Sequence, residues 1–190
     1  MKELARKTKE TSIEAKLLLY GSGTYNIDTN IGFFNHMLET LSKHARFDLE
    51  LKCVGDIEVD FHHSVEDCGI VLGKLVHDSL FPIQNIERFG NASVVMDEAC
   101  VECDLDVSNR GFLFFDLDLS GKVGSFDCEL VEEFFRAFSM NAGLSVHIHK
   151  KRGKNNHHII EATFKSFAVA LRRACVISHN ANIPSTKGIL

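Results

Sequence analysis

The chain has 190 residues, 45% hydrophobic and 25% charged; 21 Lys and Arg against 26 Asp and Glu leave a formal charge of −5. That suits one domain with a substantial core, or two small fused halves, and without a basic block it argues against a dedicated nucleic-acid binder. No apolar run approaches the roughly 18 residues of a membrane span, and the charged stretch 1–11 lacks the apolar centre of a secretory signal, so a cytoplasmic protein with no membrane partner is expected.

Residues 12–20 alternate apolar and polar, with Ile13, Ala15, Leu17 and Leu19 in phase, which predicts a strand. Gly21-Ser-Gly23 is a turn, and 24–28 can return as a second strand. Residues 33–45 carry Phe34, Met37, Leu38 and Leu41 on one helical face. Phe47, Leu49 and Leu51 mark a strand, and 62–80 reads as a helix. Strands are expected at 91–97, 100–107 and 112–119. A helix follows at 130–138, a strand at 144–148 and a helix at 156–174, before an irregular tail from 175.

The six Cys, at 53, 68, 100, 103, 128 and 175, show no paired zinc spacing, and Cys100-Val-Glu-Cys103 falls in a strand-like run. Reduced thiols are the expectation. The unusual number is 10 His, against 2 Pro and no Trp.

The element order repeats. Leu38 and Leu41 match Phe135 and Phe138 at an offset of 97 residues, and Phe47, Leu49 and Leu51 match Leu144, Val146 and Ile148 at the same offset. His62-His63-x-x-Glu66 matches His157-His158-x-x-Glu161 at 95. The doubled pattern indicates duplication, with half-repeats at 1–90 and 91–190. No linker separates them, so one compact α+β unit is expected.

On a helix, residues four apart share a side and neighbours diverge by about 100°. His62 with Glu66, and His157 with Glu161, can each hold one ion. His63 and His158 point elsewhere and need another. The simplest closed arrangement has two metals, in the sets {His62, Glu66, His158} and {His157, Glu161, His63}. A lone HxxxE is usually a surface pair worth a few tenths of a kcal/mol; two copies, each with a spare His, favour a metal site. Imidazole and carboxylate donors without thiolate suit Mn, Fe or Zn.

The first helix adds His36, whose counterpart in the second half is Glu133. Pseudo-symmetry gives His36 to the set with His157 and Glu161, and Glu133 to the set with His62 and Glu66. His147, on the following strand, is the rival of Glu133. His149, beside Lys150, Lys151 and Arg152, reads as a solvated or anion-attracting stretch, and His77 and His179 as isolated histidines.

The segments Asn30-Ile-Gly-Phe-Phe-Asn-His-Met-Leu38, Asp60-Phe-His-His-Ser-Val-Glu-Asp67, Asn155-Asn-His-His-Ile-Ile-Glu-Ala-Thr-Phe-Lys165 and Pro184-Ser-Thr-Lys-Gly188 resemble the imidazoleglycerol-phosphate dehydratases of histidine biosynthesis. The resemblance spans essentially the whole chain. It implies a duplicated two-layer α/β sandwich, each half a four-stranded sheet with two helices on one face. It also implies homo-oligomers of 24 subunits, with two Mn²⁺ ions per active site placed between subunits. The family usually has Asp where this chain has Asn35, a change beside His36 that bears on metal affinity. The counterpart of Glu133 is His or Glu in the family.

The implied reaction removes water from imidazole glycerol phosphate to give imidazole acetol phosphate. The carbon that loses its proton has no neighbouring carbonyl. A deprotonated imidazole ring, favoured by two cations on its nitrogens, can instead expel the hydroxyl through a diazafulvene-like intermediate. Glu10, in the Arg6-Lys-Thr-Lys-Glu-Thr11 stretch, is the first candidate acid/base, and His44, two turns after His36, is the second. Arg88 and Arg110 follow the family's substrate-binding arginines. Lys165, eight residues after His157, and Ser185, Thr186 and Lys187 of the tail complete the substrate contacts, together with His36, His62, His63, Glu66, His157 and Glu161. Two rival readings remain. In a two-metal phosphohydrolase the ions activate water on a phosphate ester; in a metal-assembled scaffold the clusters only join subunits.

Overall fold

Every second residue of the strand Thr11–Leu18 (β2) is buried, with Ile13, Ala15 and Leu17 turned inward. That is the period of a sheet covered on one face. In the computed structural model, which describes residues 1–83, 85–178 and 184–188, β2 lies between β1 (Lys2–Lys7) and β4 (Asp48–Gly55), and β3 (Tyr25–Asp28) closes the order β1-β2-β4-β3. Helices α1 (Gly32–Ala45) and α2 (His62–Leu80) complete the first half. The second half repeats it. β5 (Phe89–Met96), β6 (Ala99–Val107), β7 (Phe112–Asp116) and β10 (Leu144–Arg152) form the order β5-β6-β10-β7, with α3 (Leu130–Ala142) and α4 (Asn156–Ala174). The last pair of each sheet, β3 with β4 and β7 with β10, is parallel, and the other pairs are antiparallel.

The fold is therefore the expected α+β duplication: two similar halves, each a four-stranded sheet with two helices. Registers match as well. Ala15 faces Leu51, and Cys103 faces Ile148, its counterpart in the other half. Two features were not expected: the edge strand β1, and a small hairpin of β8 (Lys122–Val123) and β9 (Phe126–Asp127).

The helices join the halves, α1 packing on α4 and α2 on α3. A Cβ on Gly69 would stand 2.8 Å from the Phe134 carbonyl oxygen, and one on Gly73 2.5 Å from that of Phe138. Glycine at both positions lets α2 approach the α3 backbone. The core between the sheets is rich in phenylalanine. Phe134, Phe135, Phe138, Phe164 and Phe167 are fully buried, with ring centroids 4.8 Å apart for Phe135 and Phe164. Burial of each such ring contributes about 1.5–3 kcal/mol. All six cysteines are free and buried. Burial pushes the Cys175 thiol up to about 12 and raises that of Cys103, so these groups stay protonated thiols. No helix among the described residues is long and apolar enough to cross a membrane.

Candidate active site

The two His-His pairs begin their helices, and the same local device starts each. The Asp60 carboxylate accepts from the His62 amide at 2.8 Å. Asn155, at the matching position of the second half, accepts from the amides of His157 and His158 at 2.9 and 3.4 Å. A side-chain acceptor at this position satisfies amides that the helix leaves unpaired. It also holds both rings in the first turn.

Packing of α1 on α4 brings His36 to His157 and Glu161, with donor atoms of the three all within 4.8 Å of one another. Glu161 Oε2 lies 3.6 Å from His36 Nε2 and 3.3 Å from His157 Nε2. Its other oxygen, Oε1, is 2.6 Å from Lys165 Nζ. Burial works to raise the Glu161 pKa, but Lys165 and His36 outweigh it and the net shift is downward. Two imidazoles and an ionised carboxylate fit a divalent ion of the Mn, Fe or Zn kind. This is the three-donor group found among the described residues.

The other expected ligands lie in smaller contacts within the single chain. His62 Nε2 is 3.8 Å from Glu66 Oε2, one turn along α2. His63 faces Asp56 and Glu10, and His158 faces Glu98 and Asp97. Thus neither His63 joins His157 and Glu161, nor His158 joins His62 and Glu66, inside one chain. Glu133 is half-buried in the first turn of α3, the helix that packs on α2. His147 is exposed between the buried Val146 and Ile148, so it projects from the sheet face away from the helices, against Phe112 and Phe114. Asn35 Oδ1 accepts from the amide and hydroxyl of Thr29 at 2.9 and 2.6 Å, so its hydrogen bonds brace the entry to α1.

Glu10 is exposed, with Oε1 3.8 Å from His63 Nε2. Its turn is fixed from both sides. Thr8 Oγ1 accepts from the amides of Glu10 and Thr11 at 3.1 and 2.9 Å. Arg6 donates through Nε and Nη2 to Asp67 Oδ1 at 3.2 and 2.9 Å, and the Thr11 hydroxyl donates to Asp67 Oδ2. Asp67, one residue past Glu66 on α2, thereby ties the Glu10 segment to the helix that carries His62, His63 and Glu66. His44 is half-buried at the end of α1. Desolvation lowers its pKa, and the cations Lys165 and Arg172 lower it further. It is neutral near pH 7.

Arg88 donates through Nε and Nη2 to Asp106 at 2.8 and 3.2 Å, and through Nη1 to the Pro184 carbonyl at 2.7 Å. Arg110 Nη1 donates to the Ser108 carbonyl at 3.2 Å. In the tail, Ser185 Oγ accepts from the Lys187 amide, and the Ser185 carbonyl accepts from Gly188, whose φ of 72° suits glycine. Thr186 lies within this turn.

The remaining histidines are accounted for locally. His77 stacks on Phe81 and meets Asn109, and His149 stands 3.8 Å from Asp116. Lys150 and Lys151 pair with Asp118 and Glu102. His179 lies outside the described residues. The sequence reading did not single out Asp56, Asp67 and Glu98, because each reaches its partner through folding.

The model of the family described as imidazoleglycerol-phosphate dehydratase matches residues 29–171. Imidazoleglycerol-phosphate dehydratases of Wolinella succinogenes and of a Sulfurovum species are 67% and 60% identical to the chain, each over 190 residues and the full length of both proteins. The crystal structure of the Staphylococcus aureus imidazoleglycerol-phosphate dehydratase superimposes with a TM-score of 0.83 at 37% identity, covering 94% of this chain and 100% of that one. The Pyrococcus furiosus enzyme, in complex with (S)-C348, does so with 0.86 at 33% identity, covering 98% and 100%. The chain belongs to the imidazoleglycerol-phosphate dehydratase family.

Proposed function

We propose that this protein is a hydro-lyase of histidine biosynthesis that removes water from imidazole glycerol phosphate, giving imidazole acetol phosphate, with two Mn²⁺ ions per active site. The observation that carries the reading is the convergence of His36, His157 and Glu161 from two halves of the chain onto one point. When bound, paired divalent ions stabilise the negative charge of a substrate imidazole ring that has lost its N–H. Elimination from that ring runs through a diazafulvene intermediate, and the chain's own groups handle the protons and the phosphate.

Glu10 faces His63 from a rigid turn and takes the proton from the side-chain carbon. His44 is held neutral by burial and nearby cations, so it takes the ring N–H proton and then gives it to the departing hydroxyl, which leaves as water, while the proton held by Glu10 returns to the ring. Lys165, anchored on Glu161, presents a cation beside the His36, His157 and Glu161 cluster. Arg88, Arg110 and the Ser185-Thr186-Lys187 turn hold the phosphate; the bond from Arg88 to Pro184 draws the tail over it.

The remaining ligands, His62, His63, Glu66, Glu133 and His158, complete their sets between subunits. A homo-oligomer of 24 chains is the proposed assembly, in the cytoplasm and without nucleic-acid or membrane partners. Exposed Phe112 and Phe114, on the outer face of the second sheet, are the kind of apolar surface that such assembly covers. Product identification tests the reaction. Manganese-loaded protein incubated with imidazole glycerol phosphate yields the acetol phosphate; release of inorganic phosphate instead shows a phosphohydrolase, and no turnover favours a scaffold.

A further inference from the structure

We propose that Asp56 and Glu98 are positioning residues, each holding Nδ1–H of the second histidine of its half and leaving Nε2 of His63 and His158 as the metal-facing nitrogen. The proposal rests on the metal reading above. Asp56 places both carboxylate oxygens 3.1 Å from His63 Nδ1. Glu98 Oε2 is 2.6 Å from His158 Nδ1. An ionised carboxylate only accepts, so Nδ1 carries the hydrogen in both rings. The neutral ring then has its lone pair on Nε2. A carboxylate behind a ligating imidazole fixes the tautomer and the ring plane and makes the far nitrogen a better donor.

Both anchors are themselves fixed. The amides of Lys154 and Asn155 donate to Glu98 Oε1 at 3.2 and 2.9 Å. The loop that starts α4 thus holds the carboxylate that holds the second ring of that helix. The Asp56 amide donates to the Glu10 carbonyl at 3.1 Å, and the Asp56 carbonyl accepts from Val59 at 2.9 Å.

The duplication argues against a chance surface pair. Ala15 and Cys103 occupy equivalent strand positions, opposite Leu51 and Ile148. Five residues earlier, the same register matches Glu10 with Glu98. Yet Glu10 faces Nε2 of His63, at 3.8 Å, whereas Glu98 binds Nδ1 of His158. The first half supplies its Nδ1 anchor from the neighbouring strand at the same end of the sheet, with Asp56 just after β4 and beside Glu10. In the second half Asp97, at 3.8 Å, is the carboxylate opposite Nε2. The same ring nitrogen is secured in both halves by residues that are not repeat mates, while the Glu10 position has separated into a site carboxylate in one half and an anchor in the other.

The test is Mn²⁺ titration of metal-stripped protein, with free Mn²⁺ read by electron paramagnetic resonance, for wild type and the variants E98A, E98Q, D56A and D56N. E98A is expected to weaken one of the two ions about 10- to 100-fold and leave the other unchanged. E98Q, which keeps an acceptor oxygen, is expected to lose less. D56A and D56N should repeat the pattern at the other ion. H158A identifies the affected ion, and E102A, at a carboxylate paired with Lys151, is the control for lost surface charge. Thermal unfolding of the metal-free proteins checks the fold; if an alanine variant does not fold, its amide counterpart against E102A decides. Wild-type affinity for both ions in folded E98A and D56A, or in both amide variants where alanine fails, overturns the proposal, provided H158A loses one. Wild-type protein that binds no Mn²⁺ overturns the metal reading itself.

Discussion

Lys165 Nζ stands 2.6 Å from Glu161 Oε1, one turn along α4, while the opposite oxygen of the same carboxylate faces His36 and His157. The lysine therefore orients a carboxylate shared between a cation of the chain and the donor cluster. Lys165→Met should leave two ions bound per chain but lower turnover of the phosphorylated substrate at least about 10-fold, through loss of a positioned cation beside the donor cluster. Loss of an ion with turnover per remaining ion intact would assign Lys165 to the metal site instead.

Glu133 and His147 make opposite predictions. Glu133 lies on α3 against the His62 helix, and His147 on the outer sheet face. Glu133→Ala should weaken one ion about 10-fold or more, Glu133→His should retain most of the affinity, and His147→Ala should bind both ions as wild type does. Elemental analysis after limited chelation measures all three. Loss of an ion from the His147 variant alone would reverse the assignment.

Much of this architecture is legible in residue patterns. The bounds of α2 and α4 coincide with the expected 62–80 and 156–174 because a strong apolar period meets a capping acceptor at each start. β1 was missed because it is an edge strand of mostly charged residues, with only Leu4 and Arg6 half-buried. The β8–β9 hairpin has two residues per strand, too few for any period. The helical period makes His157 and Glu161 neighbours in any α4. Asp56, Asp67 and Glu98 are different. They come from turns, or from a helix face meeting an edge strand, and no local spacing records whom they meet.

The close approach of α2 and α3 should be sensitive to a single methyl group. A Cβ on Gly73 meets the Phe138 carbonyl oxygen at 2.5 Å, and backbone there has little room to give. Gly73→Ala should destabilise the metal-free protein by about 1–3 kcal/mol, and Phe135→Ala, which empties the core, by about 3–5 kcal/mol. Denaturant unfolding at fixed protein concentration reads both. An unchanged Gly73→Ala midpoint would mean that the helices separate freely.

Asp48 sets an acid limb of stability. The amides of Thr24 and Ser22 donate to its carboxylate at 2.9 and 2.8 Å and pull its pKa down to about 2. An unfolded Asp titrates near about 3.9. The folded pKa is the lower one, so the contribution is present above about pH 4 and is lost as pH falls toward 2. Asp48→Asn should flatten the stability profile in that window, and the two proteins should change in parallel above it. Thermal unfolding of metal-free protein between pH 2 and 5 is the measurement; identical slopes would remove Asp48 from the account.

The central claim is elimination at a site that needs two ions. Metal-free protein is titrated with Mn²⁺ while bound ions per chain and the rate of acetol phosphate formation are followed in the same samples. The account predicts little product at one ion per chain, a steep rise as the second binds, and no inorganic phosphate at any point. Full turnover at one ion per chain, or in the metal-free protein, would contradict it.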